Sequence, residues 1–164
     1  IDLVDMRLPA YVGELQSRFD IETLDLTLEV TESAVMQDPD SALLALKNLR
    51  RMGIKLSIDD FGTGFSSMAQ LKKMPVDELK IDKAFVQQLA INREDQVMTR
   101  TLITLASNLE LTTVAEGVED EDSLQQLREM GATKAQGYLI SSPKSAREFE
   151  AWLVDYQRLS EYSA

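Results

Sequence analysis

Two adjacent carboxylates, Asp59 and Asp60, close the apolar run Ile54-Lys55-Leu56-Ser57-Ile58 and open the glycine-bracketed stretch Phe61-Gly62-Thr63-Gly64-Phe65-Ser66-Ser67. If the run is a strand, both acids stand at its carboxyl end, where α/β proteins gather their ligands, and Gly62 and Gly64 give the loop backbone freedom. A pair of acids there suits a metal ion; it also suits a helix cap. Other runs end in the same manner. Glu29 falls within Leu28-Glu29-Val30, Lys80 within Leu79-Lys80-Ile81, Glu116 follows Val114-Ala115, and Gln136 follows Lys134-Ala135. Four carboxylates gathered at one mouth would repel strongly unless cations sat between them. Hard divalent ions such as Mg²⁺ or Mn²⁺ prefer such oxygen ligands, and a pair of them can drive in-line phosphoryl displacement, so phosphodiester hydrolysis is the chemistry this set suggests.

The composition narrows the alternatives. The chain has 164 residues with no cysteine and no histidine, which removes disulfides, thiolate sites and imidazole catalysis. A net charge of −11 argues against polymeric nucleic acid as partner, since so acidic a surface neutralises few phosphates. No apolar run reaches the ~20 residues of a membrane span and no signal-peptide layout opens the chain, so a cytoplasmic segment without direct membrane contact is expected. The apolar fraction of 44% supports one packed domain over residues 1–164.

The elements that must position these side chains alternate. Helical spacing runs over Leu8 to Phe19, then Leu24 to Val30 reads as a strand, and Asp38-Pro39 opens a helix with Leu43, Leu44, Leu46, Leu49 and Met52 on its apolar side. Lys55 to Ile58 is the next strand. A short helix capped by Ser66 or Ser67 ends at Met74-Pro75 before a strand over Glu78 to Asp82. Helical spacing over Ala84 to Leu89 precedes a longer helix from Glu94 to Asn108, with Val97, Thr101, Ile103, Leu105 and Leu109 inward. Leu111 to Ala115 and Thr133 to Gln136 read as strands around a helix burying Leu124, Leu127 and Met130. A last helix from Ser145 to Tyr156 is expected to bury Phe149, Trp152, Leu153 and Tyr156, and the methionines, Met98 among them, are expected in the core. Strict β-α alternation means a parallel sheet, either an open doubly wound one or part of a (β/α)8 TIM-type barrel. The absence of a glycine-rich dinucleotide fingerprint and the polar residue at every strand end favour the barrel, here incomplete, with about five βα units out of eight.

Each residue also has a structural alternative. Glu29 could be a helix-start acid, Asp60 a cap, Lys80 a partner for Asp82, Glu116 and Glu119 a solvated pair, and Gln136 a turn residue. Together these alternatives leave unexplained why all five strands stop at residues able to form a site.

In order and spacing, Leu28-Glu29-Val30-Thr31-Glu32-Ser33, Ile58 to Ser67, Leu79-Lys80-Ile81-Asp82, Ala115-Glu116-Gly117-Val118-Glu119 and Gln136-Gly137-Tyr138 resemble the EAL-domain family of cyclic di-GMP phosphodiesterases. The resemblance covers nearly the whole chain. It implies a (β/α)8 barrel with one strand reversed that opens cyclic di-GMP to linear pGpG with two Mg²⁺ or Mn²⁺ ions in bacterial second-messenger signalling. It implies Glu29 and Asp59 as ligands of one ion, with Asp59 bridging, and Asp60 and Glu116 as ligands of the other. By the same resemblance Lys80 holds the attacking water, Glu116 doubles as a candidate base, and Glu119 and Gln136 support the water and its surroundings. Glu32 braces the loop from Phe61 through Gly62, Thr63 and Gly64 to Ser67, which the family ties to metal binding and to a homodimer.

The Glu-Ala-Leu signature, a metal-binding asparagine and a substrate-binding arginine are missing from these 164 residues and are expected before Ile1. Lacking two of four protein ligands on one ion, the chain by itself is expected to be impaired, as the carboxyl-terminal two-thirds of a domain with an open sheet edge. The alternative is a module that binds cyclic di-GMP or regulates without hydrolysing it.

Overall fold

In the computed structural model, which describes residues 5, 7–20, 26–62 and 68–161, every sheet pairing is parallel. Strands β1 (Thr27–Thr31), β2 (Lys55–Phe61), β3 (Glu78–Ile81), β4 (Thr112–Ala115) and β5 (Lys134–Ala135) lie side by side in chain order. A doubly wound sheet reverses its strand order at a switch point, and this sheet has no reversal. Consecutive order with every crossover on one side is the arrangement of a barrel wall. β1 and β5 are not paired with one another, so the wall is an open segment, as the incomplete-barrel reading expects.

The connecting helices are α1 (Leu8–Phe19), α2 (Glu32–Gln37), α3 (Pro39–Arg51), α4 (Met68–Leu71), α5 (Arg93–Asn108), α6 (Glu121–Met130) and α7 (Ala146–Glu161), with a 3₁₀ turn at Lys83–Phe85 after β3. Their starts are chemically marked. Asp38, Asn92 and Asp120 each accept a backbone N–H of the following first turn, and Pro39 sits where a helix has no N–H partner to lose. The core lies between helices and sheet: Leu46, Leu56, Ile58, Leu79, Ile81, Val86, Leu89 and Ala106 are fully buried. Among the described residues no helix is long and apolar enough to cross a membrane.

Several helix faces differ from the sequence reading. Leu44 is exposed, and α3 buries Ala42, Ala45, Leu46 and Leu49 instead, a rotation that the small alanines permit because they let the helix approach the sheet. On α5, Val97, Met98 and Thr101 face out while Thr99, Leu102, Ile103 and Ala106 face in. Thr99 is satisfied there by donating to the Phe85 carbonyl, so a hydroxyl occupies a position the apolar pattern could not claim. On α7, Phe149, Leu153 and Tyr156 are exposed, and Trp152 stacks between Phe149 and Tyr156 on a largely open apolar stripe. The short helix α2 was not anticipated, because the acid-rich Thr31-Glu32-Ser33 reads as a strand end. Leu24, Asp25, Thr63, Gly64, Ser66 and Ser67, with the loop between Gly62 and Met68, lie outside the described residues.

Candidate active site

Side chains alternate across each strand, and the contacts sort them. Leu56, Ile58, Leu79 and Ile81 pack toward the helices, while Thr27, Glu29, Ser57, Asp59, Glu78, Lys80, Thr112, Val114, Lys134 and Gln136 share the opposite, inner face. Lys80 is the hub of that face. Its ammonium lies 2.7 Å from Glu29 Oε2, 3.2 Å from Asp59 Oδ1 and 2.6 Å from Glu116 Oε1, which brings residues of β1, β2, β3 and the end of β4 to one point. Lys80 is 4% exposed, yet its three partners remain open to solvent on their outer sides. Burial by itself would lower the lysine's pKa; the hydrogen bonds to Glu116, Glu29 and Asp59 outweigh it and hold the group above its ordinary value. Lys80 is therefore held as a cation that donates hydrogen bonds to three carboxylates.

Asp60 is turned differently from Asp59. The β2–β3 register breaks between Ile58 and Phe61, and Asp60 sits at φ 56°, a left-handed conformation that aspartate tolerates better than most residues. Its own N–H donates to Asp59 Oδ1 at 3.0 Å. The irregularity re-aims one of two consecutive acids, so both serve the mouth rather than opposite faces. The Asp60 carboxyl is pushed above its ordinary value, first by desolvation and then by the charges of Asp59 and Asp82, with a side-chain hydrogen bond to Asp82. Burial is the larger part of that shift, and the neighbouring charges of Asp59 and Asp82 add to it. Asp82 was not singled out as a site residue by the sequence reading; its place two residues after Lys80 is the signal that could have found it. Asp82 Oδ1 also accepts from the Ala84 N–H at 2.7 Å, capping the 3₁₀ turn.

The remaining residues frame the mouth. Phe61 is buried, and Gly62 at φ 97° donates its N–H to Glu32 Oε2 at 3.1 Å. Glu32, only 3% exposed, stands in the first turn of α2, whose cap is the Thr31 hydroxyl accepting from Ala34. The brace between Glu32 and the start of the loop is thus present, whereas Thr63 and Gly64 lie outside the described residues. Glu119 accepts from Gln87 Nε2 at 3.2 Å and is not among the partners of Lys80. Gln87 is a second residue the sequence reading did not single out. Gln136 is held by its backbone, donating to Ala115 O at 2.8 Å and accepting from Val118 N at 3.1 Å, with its side chain exposed at the rim. The following Gly137 passes so close to Val118 that a Cβ there would overlap the Val118 backbone.

Among the described residues no three acidic side chains form a ready-made cation cage. Three carboxylates converge on an ammonium instead. One positive charge cannot balance Glu29, Asp59 and Glu116 with Asp60 and Asp82 beside them, and all the donors are hard oxygens. The set fits Mg²⁺ or Mn²⁺ in kind, provided the carboxylates turn part of their oxygens away from Lys80.

The chain matches the family model for the EAL domain over residues 3–143 and belongs to that family. It is 42% identical over 134 residues to the bifunctional diguanylate cyclase/cyclic di-GMP phosphodiesterase MucR of Pseudomonas aeruginosa, across 82% of this chain and 20% of MucR. It is also 42% identical over 132 residues to the cyclic di-GMP phosphodiesterase NbdA of the same organism, across 80% of this chain and 17% of NbdA. Among solved structures, the PaMucR phosphodiesterase in complex with c-di-GMP is similar with a TM-score of 0.86 and 39% identity, over 90% of this chain and 60% of that one. The EAL domain of Mycobacterium smegmatis DcpA gives a TM-score of 0.88 and 38% identity, over 94% of this chain and 69% of that one. The chain spans about a fifth of the length of these curated relatives.

Proposed function

We propose that this chain carries most of the site of a phosphodiesterase that hydrolyses cyclic di-GMP to linear pGpG in bacterial second-messenger signalling. The observation that carries the reading is the Lys80 ammonium held by Glu29, Asp59 and Glu116 from three other parts of the sheet. Relatives that align across this region are named for cyclic di-GMP phosphodiesterase activity. Glu29 and Asp59 would hold one Mg²⁺ or Mn²⁺ ion, and Asp60 and Glu116 the other. When bound, such a pair lowers the pKa of water and stabilises the oxygens of an in-line displacement.

The chain's own groups do the rest. Lys80, permanently charged, donates hydrogen bonds to the attacking water and to the phosphoryl oxygens as negative charge grows on them. Because its three partners hold it in place, it is oriented before substrate arrives. Glu116 keeps one oxygen on Lys80 and acts chiefly as a ligand. Asp82, hydrogen-bonded to Asp60, keeps the Asp60 carboxyl turned toward the mouth. Glu119, tethered by Gln87, and Gln136, tethered by its backbone, border the water. Glu32 fixes the start of the loop through Gly62, and the intact protein forms a homodimer, which sedimentation would read directly.

The protein ligands within residues 1–164 number two fewer for one ion than the family pattern calls for, so this segment alone binds that ion weakly and turns over slowly. The decisive experiment separates cyclic di-GMP from pGpG by chromatography after incubation of the intact protein with Mn²⁺. Wild type is expected to yield pGpG and Asp59→Asn almost none. An Asp59→Asn protein as active as wild type overturns the assignment, and wild-type binding of cyclic di-GMP without product establishes a sensing module in its place.

A further inference from the structure

The inner face carries a second lysine at the same level as the first. Lys80, Val114 and Lys134 are partners in one register line across β3, β4 and β5, which places the backbones of the two lysines about 9–10 Å apart on one face. Their ammonium groups go opposite ways. Lys80 reaches up to the carboxylate mouth, whereas Lys134 reaches down to Glu78 Oε2 at 2.6 Å. Glu78 is held in turn by the Thr112 hydroxyl at 3.3 Å. The Lys134 side chain is 58% exposed and Glu78 only 12%, so packing does not confine Lys134; the ion pair does. From Lys134 the carboxylate mouth is close, because Glu116 stands two residues beyond its register partner Val114, one level up on the same face.

We propose that Glu78 is a positioning residue that parks the Lys134 ammonium at the floor of the sheet and so keeps a second cation out of the carboxylate mouth. The inference rests on the reading of that mouth as a divalent-metal site. Four acids with one ammonium attract a divalent ion, while two ammonium groups would satisfy the same oxygens and compete with it. The parked pair contributes nothing to metal binding itself. What separates it from an ion pair that merely shapes β5 is that removing Lys134 should undo the effect of losing Glu78.

The test uses the intact protein with Mn²⁺ as the probe, measured by calorimetry and by the electron paramagnetic resonance of free Mn²⁺. Glu78→Gln keeps the side-chain shape and the Thr112 contact but frees Lys134, and should weaken Mn²⁺ binding about tenfold or more. Adding Lys134→Met to that variant should restore wild-type affinity. Lys134→Met alone should bind as wild type does, and Glu78→Ala, which also frees Lys134, takes the place of Glu78→Gln if that variant does not fold. A Glu78→Gln protein with unchanged affinity, a double variant as weak as Glu78→Gln, or a weakened Lys134→Met overturns the inference while leaving the phosphodiesterase reading intact. A wild-type protein that takes up no Mn²⁺ overturns both.

Discussion

The two faces of this one sheet have opposite compositions. Toward the helices stand Leu56, Ile58, Leu79 and Ile81, all at 0% exposure; toward the inside stand Glu29, Ser57, Asp59, Glu78, Lys80 and Thr112, with Val114 their apolar neighbour. Barrel interiors are usually filled by branched apolar side chains. Here the interior is a polar column with ion pairs at two levels, and the hydrophobic core is left to the sheet–helix layer. Since consecutive strand residues point opposite ways, one residue of sequence separates a group that holds the fold from a group that performs chemistry.

The sharpest test compares neighbours on β3. Leu79→Ala removes a fully buried side chain from the helix-facing layer and should lower unfolding free energy by about 2–5 kcal/mol in urea titrations, with turnover per folded molecule nearly unchanged. Lys80→Met, one position on, should do the reverse. It removes the donor of the mouth and should cut turnover on the order of 10²–10³-fold. Its stability loss should be smaller than that of Leu79→Ala, because Glu29, Asp59 and Glu116 keep solvent-facing oxygens and can turn to water. If both variants lose stability alike, the two faces are one energetic unit and the comparison fails.

Much of this division was readable before any coordinates. Alternation of Leu28-Glu29-Val30 and Leu79-Lys80-Ile81 specifies strands with one polar face, and the repeated ending in Glu, Asp or Lys anticipates that Glu29, Asp59, Lys80 and Glu116 gather at one end of the sheet. What could not be read is partner choice. Glu29 and Lys80 lie 51 residues apart, and nothing local says that the lysine, rather than a metal, draws three carboxylates together. Helix phase was less legible still. On α5 a satisfied hydroxyl at Thr99 and the small Ala106 turn inward where Val97 was expected, and the aromatic stripe of α7 declares an amphipathic helix without naming its cover. Periodicity reports that a face is apolar; burial depends on what lies opposite.

Glu32 crosses the division and gives a smaller effect. It is buried among the helices, yet its carboxylate accepts the Gly62 N–H at the start of the active-site loop. Glu32→Gln preserves the shape and replaces a charge-assisted hydrogen bond with a neutral one, a change of about 1 kcal/mol. The expected outcome is a several-fold rise in the Mn²⁺ concentration needed for half-maximal turnover, with the thermal midpoint little moved. A fall in the midpoint without a change in metal dependence would place Glu32 wholly with the packing layer.

The smallest effect lies farthest from the mouth, at the start of α6, and sets the scale for a purely structural acid. Asp120 accepts from the Ser123 N–H at 2.7 Å and from the Ser123 hydroxyl at 2.8 Å, and these bonds, the backbone one foremost, hold its carboxyl below the ordinary value of 3.8. Asp120→Ala should therefore cost about 1 kcal/mol at neutral pH, toward the lower side because the group is open to solvent. The sign follows from linkage. A folded-state value below the unfolded one means the stabilisation is complete above pH 3.8 and drains away as pH falls through the depressed value. The stability difference between wild type and Asp120→Ala, followed by urea titration from pH 7 downward, should stay flat to about pH 4.5 and then shrink. Turnover at pH 7 should be unaffected, in contrast to the acids Glu29, Asp59 and Glu116 that bond Lys80 at the mouth. A difference that persists undiminished into acid would mean that Asp120 acts through its size alone, and the line between structural and functional carboxylates would have to be drawn elsewhere.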